Sequence, residues 1–220
     1  MLRILSVIFV SFLLSACPGG WVNKIQSSYA LTPQDRRAEE DLKDSKDYGR
    51  PILELGDGVR LQSFIYNDKD VGKKAYAGQF LINLTLGSVK SMEILFDSLY
   101  VKIEQGSTLV PIVKKAQMGW HSWSYQHNME VVTCNELKLE TVTGWGILPM
   151  MSTAPLPAGL PTKFLNWRDD VLCLRLEFPV TRADMDPERK FQLHFKYRLE
   201  GQDRDAVIYY FPFQYGYFWS

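Results

Sequence analysis

Apolar and polar side chains alternate, with a period of two residues, along much of this chain after residue 51. The pattern is clearest in Phe191-Gln192-Leu193-His194-Phe195-Lys196-Tyr197-Arg198-Leu199. Successive side chains of a β-strand point to opposite faces, so this period predicts strands with one buried and one solvated face. Similar strands are predicted at residues 59–66, 76–86, 99–103, 108–114, 129–134, 137–143, 171–178 and 206–214.

Clusters of turn-forming residues separate these strands, as at Asn67-Asp68-Lys69-Asp70 and Gly201-Gln202-Asp203. No helical pattern long enough for crossovers between parallel strands is found after residue 51. We therefore predict an all-β domain of about eight or nine antiparallel strands over residues 51–220. A two-sheet sandwich, Ig-like or similar, is the favoured architecture, and a small closed barrel is the alternative.

Charge and composition narrow the classes of partner. The chain has 25 Lys and Arg against 25 Asp and Glu, and its aromatic content is 13%. A balanced charge gives no basic surface for a nucleic acid, so no nucleic-acid partner is predicted. The aromatic content is high for a disordered chain and is typical of one that folds.

The N-terminal segment has the organisation of a secretory signal. Arg3 precedes an apolar run over residues 4–14, and the run ends in Leu14-Ser15-Ala16-Cys17. This site resembles the lipobox of bacterial lipoprotein precursors. The resemblance implies that residues 1–16 are removed and that Cys17 becomes the acylated N-terminus. Pro18 stands where inner-membrane lipoproteins tend to carry Asp, and the resemblance therefore implies an outer-membrane location. The domain is expected to face the periplasm.

Residues 17–50 are predicted to be a lipidated tether. Thr32 and Pro33 are typical of a helix start, and a helix over residues 33–46 would expose charged side chains on most faces. We expect a solvated helix that spaces the domain from the membrane; a partner-binding helix is the alternative.

Two further cysteines, Cys134 and Cys173, lie in predicted strands. An exported protein folds in an oxidising compartment, so a disulfide between them is predicted. The alternative is a pair of unbridged core residues.

The segment over residues 119–128 is unusually rich in aromatic and imidazole groups. Trp120, His121, Trp123, Tyr125 and His127 are predicted to form a partner-binding loop, because Trp and Tyr give large contact areas at low entropic cost. The alternative is that the tryptophans close one end of the sandwich. Two histidines without a third nearby ligand do not make a zinc site, so no metal or cofactor is predicted.

The long connection over residues 144–170 is expected to be a crossover with Trp145 and Trp167 buried; a semi-rigid flap is the alternative. No nucleophile elbow, zinc-protease motif or phosphate-binding loop is found in the sequence, and the chain is not predicted to be an enzyme.

We therefore predict an outer-membrane-anchored periplasmic lipoprotein that binds a protein partner in the cell envelope. It would be a subunit of an envelope assembly or an immunity protein against a toxin. The alternative is a periplasmic enzyme or small-ligand-binding protein that uses residues 120–127.

Overall fold

The computed structural model describes residues 20–33, 53–65, 69–70, 72, 78–104, 106–124, 129–134, 138–151 and 168–219. Fourteen strands lie within these residues. They are β1 (Gly20–Ala30), β2 (Leu53–Gly56), β3 (Val59–Phe64), β4 (Lys69–Asp70), β5 (Gln79–Ser88), β6 (Met92–Ile103), β7 (Thr108–Leu109), β8 (Val113–Ser124), β9 (Met129–Thr133), β10 (Glu140–Thr141), β11 (Trp145–Ile147), β12 (Arg168–Thr181), β13 (Phe191–Leu199) and β14 (Gln202–Trp219).

The strands form two sheets. The first has the order β11-β6-β13-β14-β1-β4, with β7 also paired to β6. The second has the order β10-β8-β12-β5-β3-β2, with β9 also paired to β8. The named strands pair antiparallel within both sheets. The predicted all-β, antiparallel, two-sheet sandwich is confirmed, but the fourteen strands of the described residues exceed the eight or nine predicted.

The core lies between the two sheets and follows the two-residue alternation. In β13 the five apolar residues from Phe191 to Leu199 are each at most 4% exposed, while the four polar residues between them face outward. In β5 the alternation buries Phe80, Ile82 and Leu84 in the same way. Each large apolar side chain buried here stabilises the fold by about 1.5–3 kcal/mol.

The turn between β13 and β14 shows how the sequence sets a hairpin register. Leu199 pairs with Gln202, so Glu200 and Gly201 form a two-residue turn. Both have positive φ, at 50° and 81°. This conformation suits the right-handed twist of the strands, and Gly201 adopts it without steric cost.

The predicted tether contains a strand of the sandwich. β1 pairs with β14 along its whole length, and Tyr29 and Ala30 at its end are buried. The tether prediction is therefore wrong for residues 20–30, and the domain includes them. Five of the eleven residues of β1 are polar and interrupt the alternation, and its backbone partner lies far away in the sequence. The signal peptide (1–16), Cys17 and all of the predicted helix except Pro33 lie outside the described residues.

One buried hydrogen bond connects the two sheets. The hydroxyls of Ser63 on β3 and Tyr210 on β14 are 2.8 Å apart, and both residues are at most 1% exposed. Burial raises the pKa of the Tyr210 phenol, so it stays protonated over the physiological range.

We expect Tyr210→Phe to lower the free energy of unfolding by about 1–2 kcal/mol, because it leaves the Ser63 hydroxyl buried without its partner. Ser63→Ala should have a similar cost. The double variant should lose less than the sum of the two, with a coupling of at least about 0.5 kcal/mol. Urea denaturation of the four proteins measures the cycle, and strictly additive losses would show that the bond contributes nothing specific.

Candidate functional site

The structure places part of the predicted recognition loop in a strand. Trp120, His121 and Trp123 belong to β8, where they pair with Thr133, Val132 and Glu130 of β9. The loop prediction is wrong for these three residues. Aromatic residues favour strands, and β9 and β12 offer them backbone partners on both sides up to Ser122. Tyr125 and His127 lie outside the described residues.

The histidines do not converge among the residues described. His121 lies in the second sheet, whereas His194 lies in β13 of the first sheet and stacks on Tyr100 with ring centroids 4.6 Å apart. Burial lowers the pKa of His194, Lys102 lowers it further, and Asp205 opposes both effects. In the described part of the chain, no group of three or more His, Cys, Asp or Glu residues is placed to hold a metal ion.

After β10 the chain crosses from the edge of the second sheet to the edge of the first. The Val142 N–H donates to the Lys114 carbonyl of β8, and the Gly144 N–H donates to the Asp97 carboxylate of β6 at 2.8 Å. Asp97 also forms an ion pair with Lys114. These contacts, led by the Lys114 ammonium, lower the pKa of Asp97. The edge of the second sheet at β8 and β10 and the edge of the first sheet at β11 therefore lie on the same side of the sandwich.

This side carries exposed apolar side chains. Trp145 and Ile147 of β11 are 38% and 76% exposed, Met150 is 67% exposed, and Met118 of β8 is 54% exposed. We call these four residues the apolar rim. Met150 forms an isolated β-bridge with Ser88 at the end of β5. Met118 of β8 pairs with Leu172 of β12, which pairs with Leu86 of β5, so Met118 lies near the same end. The prediction that Trp145 is buried is wrong, and Trp167 lies outside the described residues.

An arginine is fixed against the exposed tryptophan. The Arg198 guanidinium lies 4.2 Å from the Trp145 ring centroid, and it is paired with Asp203 at 2.7 Å and Glu93 at 3.2 Å. The two carboxylates, Asp203 more than Glu93, raise the pKa of Arg198. A charged guanidinium over an indole face is a cation–π pair, which holds both side chains in one geometry.

The backbone on either side of the rim is anchored. The Leu148 N–H donates to the Met92 carbonyl at 2.8 Å, and the Met151 N–H donates to the Ser88 carbonyl at 2.7 Å. Leu148 and Met151 are buried, and a Cβ at Gly146 would clash with the Phe96 ring. Before Trp145, the Phe96 N–H donates to the Gly144 carbonyl at 2.8 Å, so the backbone from Gly144 to Met151 is fixed at both ends.

The predicted disulfide is present beside this side of the sandwich. Cys134, directly after β9, is bonded to Cys173 of β12, with their Cα atoms 6.0 Å apart. Cys173 pairs with Gln117 of β8, so the bond ties the chain after the β8–β9 hairpin to the neighbouring strand. The prediction of a disulfide is confirmed.

Sequence analysis missed Ile147, Met150, Met118 and Arg198 as candidate binding residues. A signal was available for Ile147: Trp145-Gly146-Ile147 follows Gly144, which has a φ of 63° and ends the preceding turn. Three residues are too few to establish a strand period. Met118 and Arg198 follow the ordinary alternation of their strands, so spacing does not mark them.

No family model and no curated protein matches the chain. Among solved structures, the chain is similar to the GAE domain of GGA2p from Saccharomyces cerevisiae, with a TM-score of 0.26 and 7% sequence identity. The match covers 73% of this chain and 94% of that domain. A similarity this low does not place the chain in that family. No helix in the described residues is long and apolar enough to cross a membrane.

Proposed function

We propose that the protein is an outer-membrane lipoprotein, anchored through Cys17, whose sandwich binds a protein partner in the periplasm. The Leu14-Ser15-Ala16-Cys17 site after an apolar run supports the anchor. A disulfide-bonded domain also fits an oxidising compartment. The binding role rests on the apolar rim.

The apolar rim has the properties of a protein-binding surface. Trp and Arg are enriched among residues that dominate binding energy, and Trp145 and Arg198 are already held together. Polar groups such as Glu93 and Asp203 surround them, as in the polar margin of an interface. Within the described residues β11 has a strand partner on one side only, so its other edge can accept an extended segment of a partner.

We expect Trp145→Ala to weaken binding of the partner by about 2 kcal/mol or more, because it removes the largest exposed ring of the rim and frees Arg198. The variant's loss of thermal stability should be smaller than that of a core substitution, since Trp145 is 38% exposed. The partner is first captured in the native envelope by a photo-crosslinking residue at Ile147. Lys190, which is also exposed, is the control position.

The comparison separates recognition from collapse of the fold. One adduct should form from position 147, be absent from position 190 and be lost in Trp145→Ala. Trp123→Ala, measured in parallel, tests whether the β8–β9 hairpin shares the surface. Equal yields of crosslinked partner from positions 147 and 190 would show that the apolar rim is not the binding site.

The anchor has its own test. We expect the wild-type protein to fractionate with the outer membrane and to carry fatty acid on Cys17. Cys17→Ala should leave an uncleaved or soluble species, because it removes the acylated sulfur. Cys134→Ser is the control, as it should fractionate like the wild type. Wild-type protein that is soluble in the periplasm and free of fatty acid would exclude the lipid anchor.

A further inference from the structure

The last nine residues of β14 lie beyond its pairing with β13. Pairing of β14 with β13 ends at Tyr210, opposite Phe191, whereas pairing with β1 continues to Trp219, opposite Gly20. β4 adds to this pair at Lys24 and Ile25. Beyond that point, residues 20–23 and 216–219 form a two-stranded ribbon within the described part of the chain. We call these eight residues the ribbon tip.

The exposed fractions agree with this geometry. Phe213 is buried, whereas Asn23 and Gly216, which face each other across the ribbon, are both exposed. Pro212 fits the same description, since a residue without an N–H is tolerated where a strand is paired on one side only. Nine residue pairs, at about 3.3 Å each, extend the ribbon about 30 Å from its last contact with β13.

The ribbon tip is close in sequence to the anchor, a step that rests on the proposed function. Gly20 follows Cys17 by three residues, which span at most about 11 Å when fully extended. An acylated Cys17 lies at the membrane surface. The ribbon tip is then the part of the described domain held nearest to the lipid headgroups.

The residue types of the ribbon tip suit a membrane interface. It contains Trp21, Tyr217, Phe218 and Trp219, and none of its eight residues is charged. Trp and Tyr are enriched at the depth of the headgroups, where their rings are accommodated beside both lipid tails and water. A two-stranded ribbon keeps unpaired backbone groups along its outer edges, which favours this depth over the hydrocarbon core.

We propose that the ribbon tip lies in the phospholipid headgroup region and forms a second membrane contact beside the acyl chains on Cys17. The contact also orients the sandwich. β11 is at one end of the strand order, and β1 lies four spacings, or about 19 Å, from it. The apolar rim is then directed away from the strand that approaches the membrane and remains open to a periplasmic partner.

Fluorescence quenching tests this contact on the lipidated full-length protein. The protein is reconstituted into phosphatidylethanolamine–phosphatidylglycerol vesicles with or without a headgroup-attached nitroxide lipid. We expect the nitroxide to quench the tryptophan fluorescence of the wild-type protein. The variant carrying Trp21→Phe and Trp219→Phe should lose most of that quenching. Trp145→Phe is the matched control and should keep it. Quenching that is unchanged by the double substitution would overturn the proposal.

Hydrogen exchange provides a second measurement without substitutions in the ribbon. Amides of residues 216–219 should exchange more slowly in the vesicle-bound protein than in soluble Cys17→Ala, while those of the β13–β14 turn should be unchanged. Equal exchange in both states would overturn the proposal. Mass analysis of Cys17 distinguishes the two failures. An acylated protein with an unquenched ribbon tip refutes only the second contact, and an unacylated Cys17 refutes the anchor and this placement together.

Discussion

Replacing both bridged residues, Cys134→Ser with Cys173→Ser, is expected to lower the free energy of unfolding by about 4 kcal/mol in the chain-entropy model. The bond joins residues 39 positions apart, and its loss frees that loop in the unfolded chain. Since domains of this kind are stable by about 5–15 kcal/mol, the loss is a large fraction of the total. Urea denaturation followed by circular dichroism measures it.

The position of the bond supports a large effect. Cys173 lies in β12, which has β8 on one side and β5 on the other, so the bond fastens the β9 connection to a strand inside the second sheet. Reduced wild-type protein is the matched control, because it loses the bond and keeps both side-chain volumes. It should unfold at nearly the same urea concentration as the double variant. A loss under about 1 kcal/mol in both proteins would contradict the constraint on the unfolded state.

The sequence predicted those parts of the fold whose own side chains carry the signal. The alternation in β13 is visible without its neighbours. The turn after it was predicted at Gly201-Gln202-Asp203, and the structure places it at Glu200-Gly201, with Gln202 and Asp203 in β14. The extent of β14, predicted over residues 206–214, was underestimated, since it begins at Gln202 and runs to Trp219; Pro212 lies within both ranges. A strand paired on one side tolerates that proline, and the one-sided pairing depends on β1, which the pattern did not reveal.

β1 shows the general limit. Asn23, Lys24 and Gln26 interrupt its apolar residues, and its backbone partner is a strand near the other end of the chain. Strand propensity depends on neighbouring residues and carries no information about so distant a partner. Pairing with β14 therefore outweighs the weak local propensity of β1.

The candidate site was less predictable than the fold. Residue types correctly marked the aromatic segment as unusual, but its strand pairing depends on β9 and β12. The exposure of Trp145 depends on β11 being an edge strand, which is a property of the strand order. Arg198 approaches Trp145 across β6, and nothing in the spacing of the two residues indicates it.

An aromatic cluster between the sheets carries the second large effect. Phe191 of β13 stacks on Tyr210 of β14 with ring centroids 4.4 Å apart. It also meets Phe80 of β5 edge to face at 5.6 Å, and Phe80 packs on Phe178 of β12 at 5.5 Å. Phe191 and Tyr210 belong to the first sheet, and Phe80 and Phe178 to the second. Phe191 is 2% exposed, so its ring is a buried link between the two layers.

We expect Phe191→Ala to lower the free energy of unfolding by about 3–5 kcal/mol, since it removes buried apolar surface and leaves a cavity against rings from both sheets. Of this total, about 0.5–1.5 kcal/mol for each aromatic pair comes from the lost ring–ring contact. Phe191→Leu should cost clearly less, because it fills much of the cavity.

Tyr100→Ala is the matched control: it removes a partly exposed ring stacked on His194 from the outer face of the same sheet, and it should cost about 1 kcal/mol or less. Urea denaturation with the disulfide intact compares the three variants with the wild type. If Phe191→Ala costs no more than Tyr100→Ala, the aromatic cluster is not what holds the two sheets together.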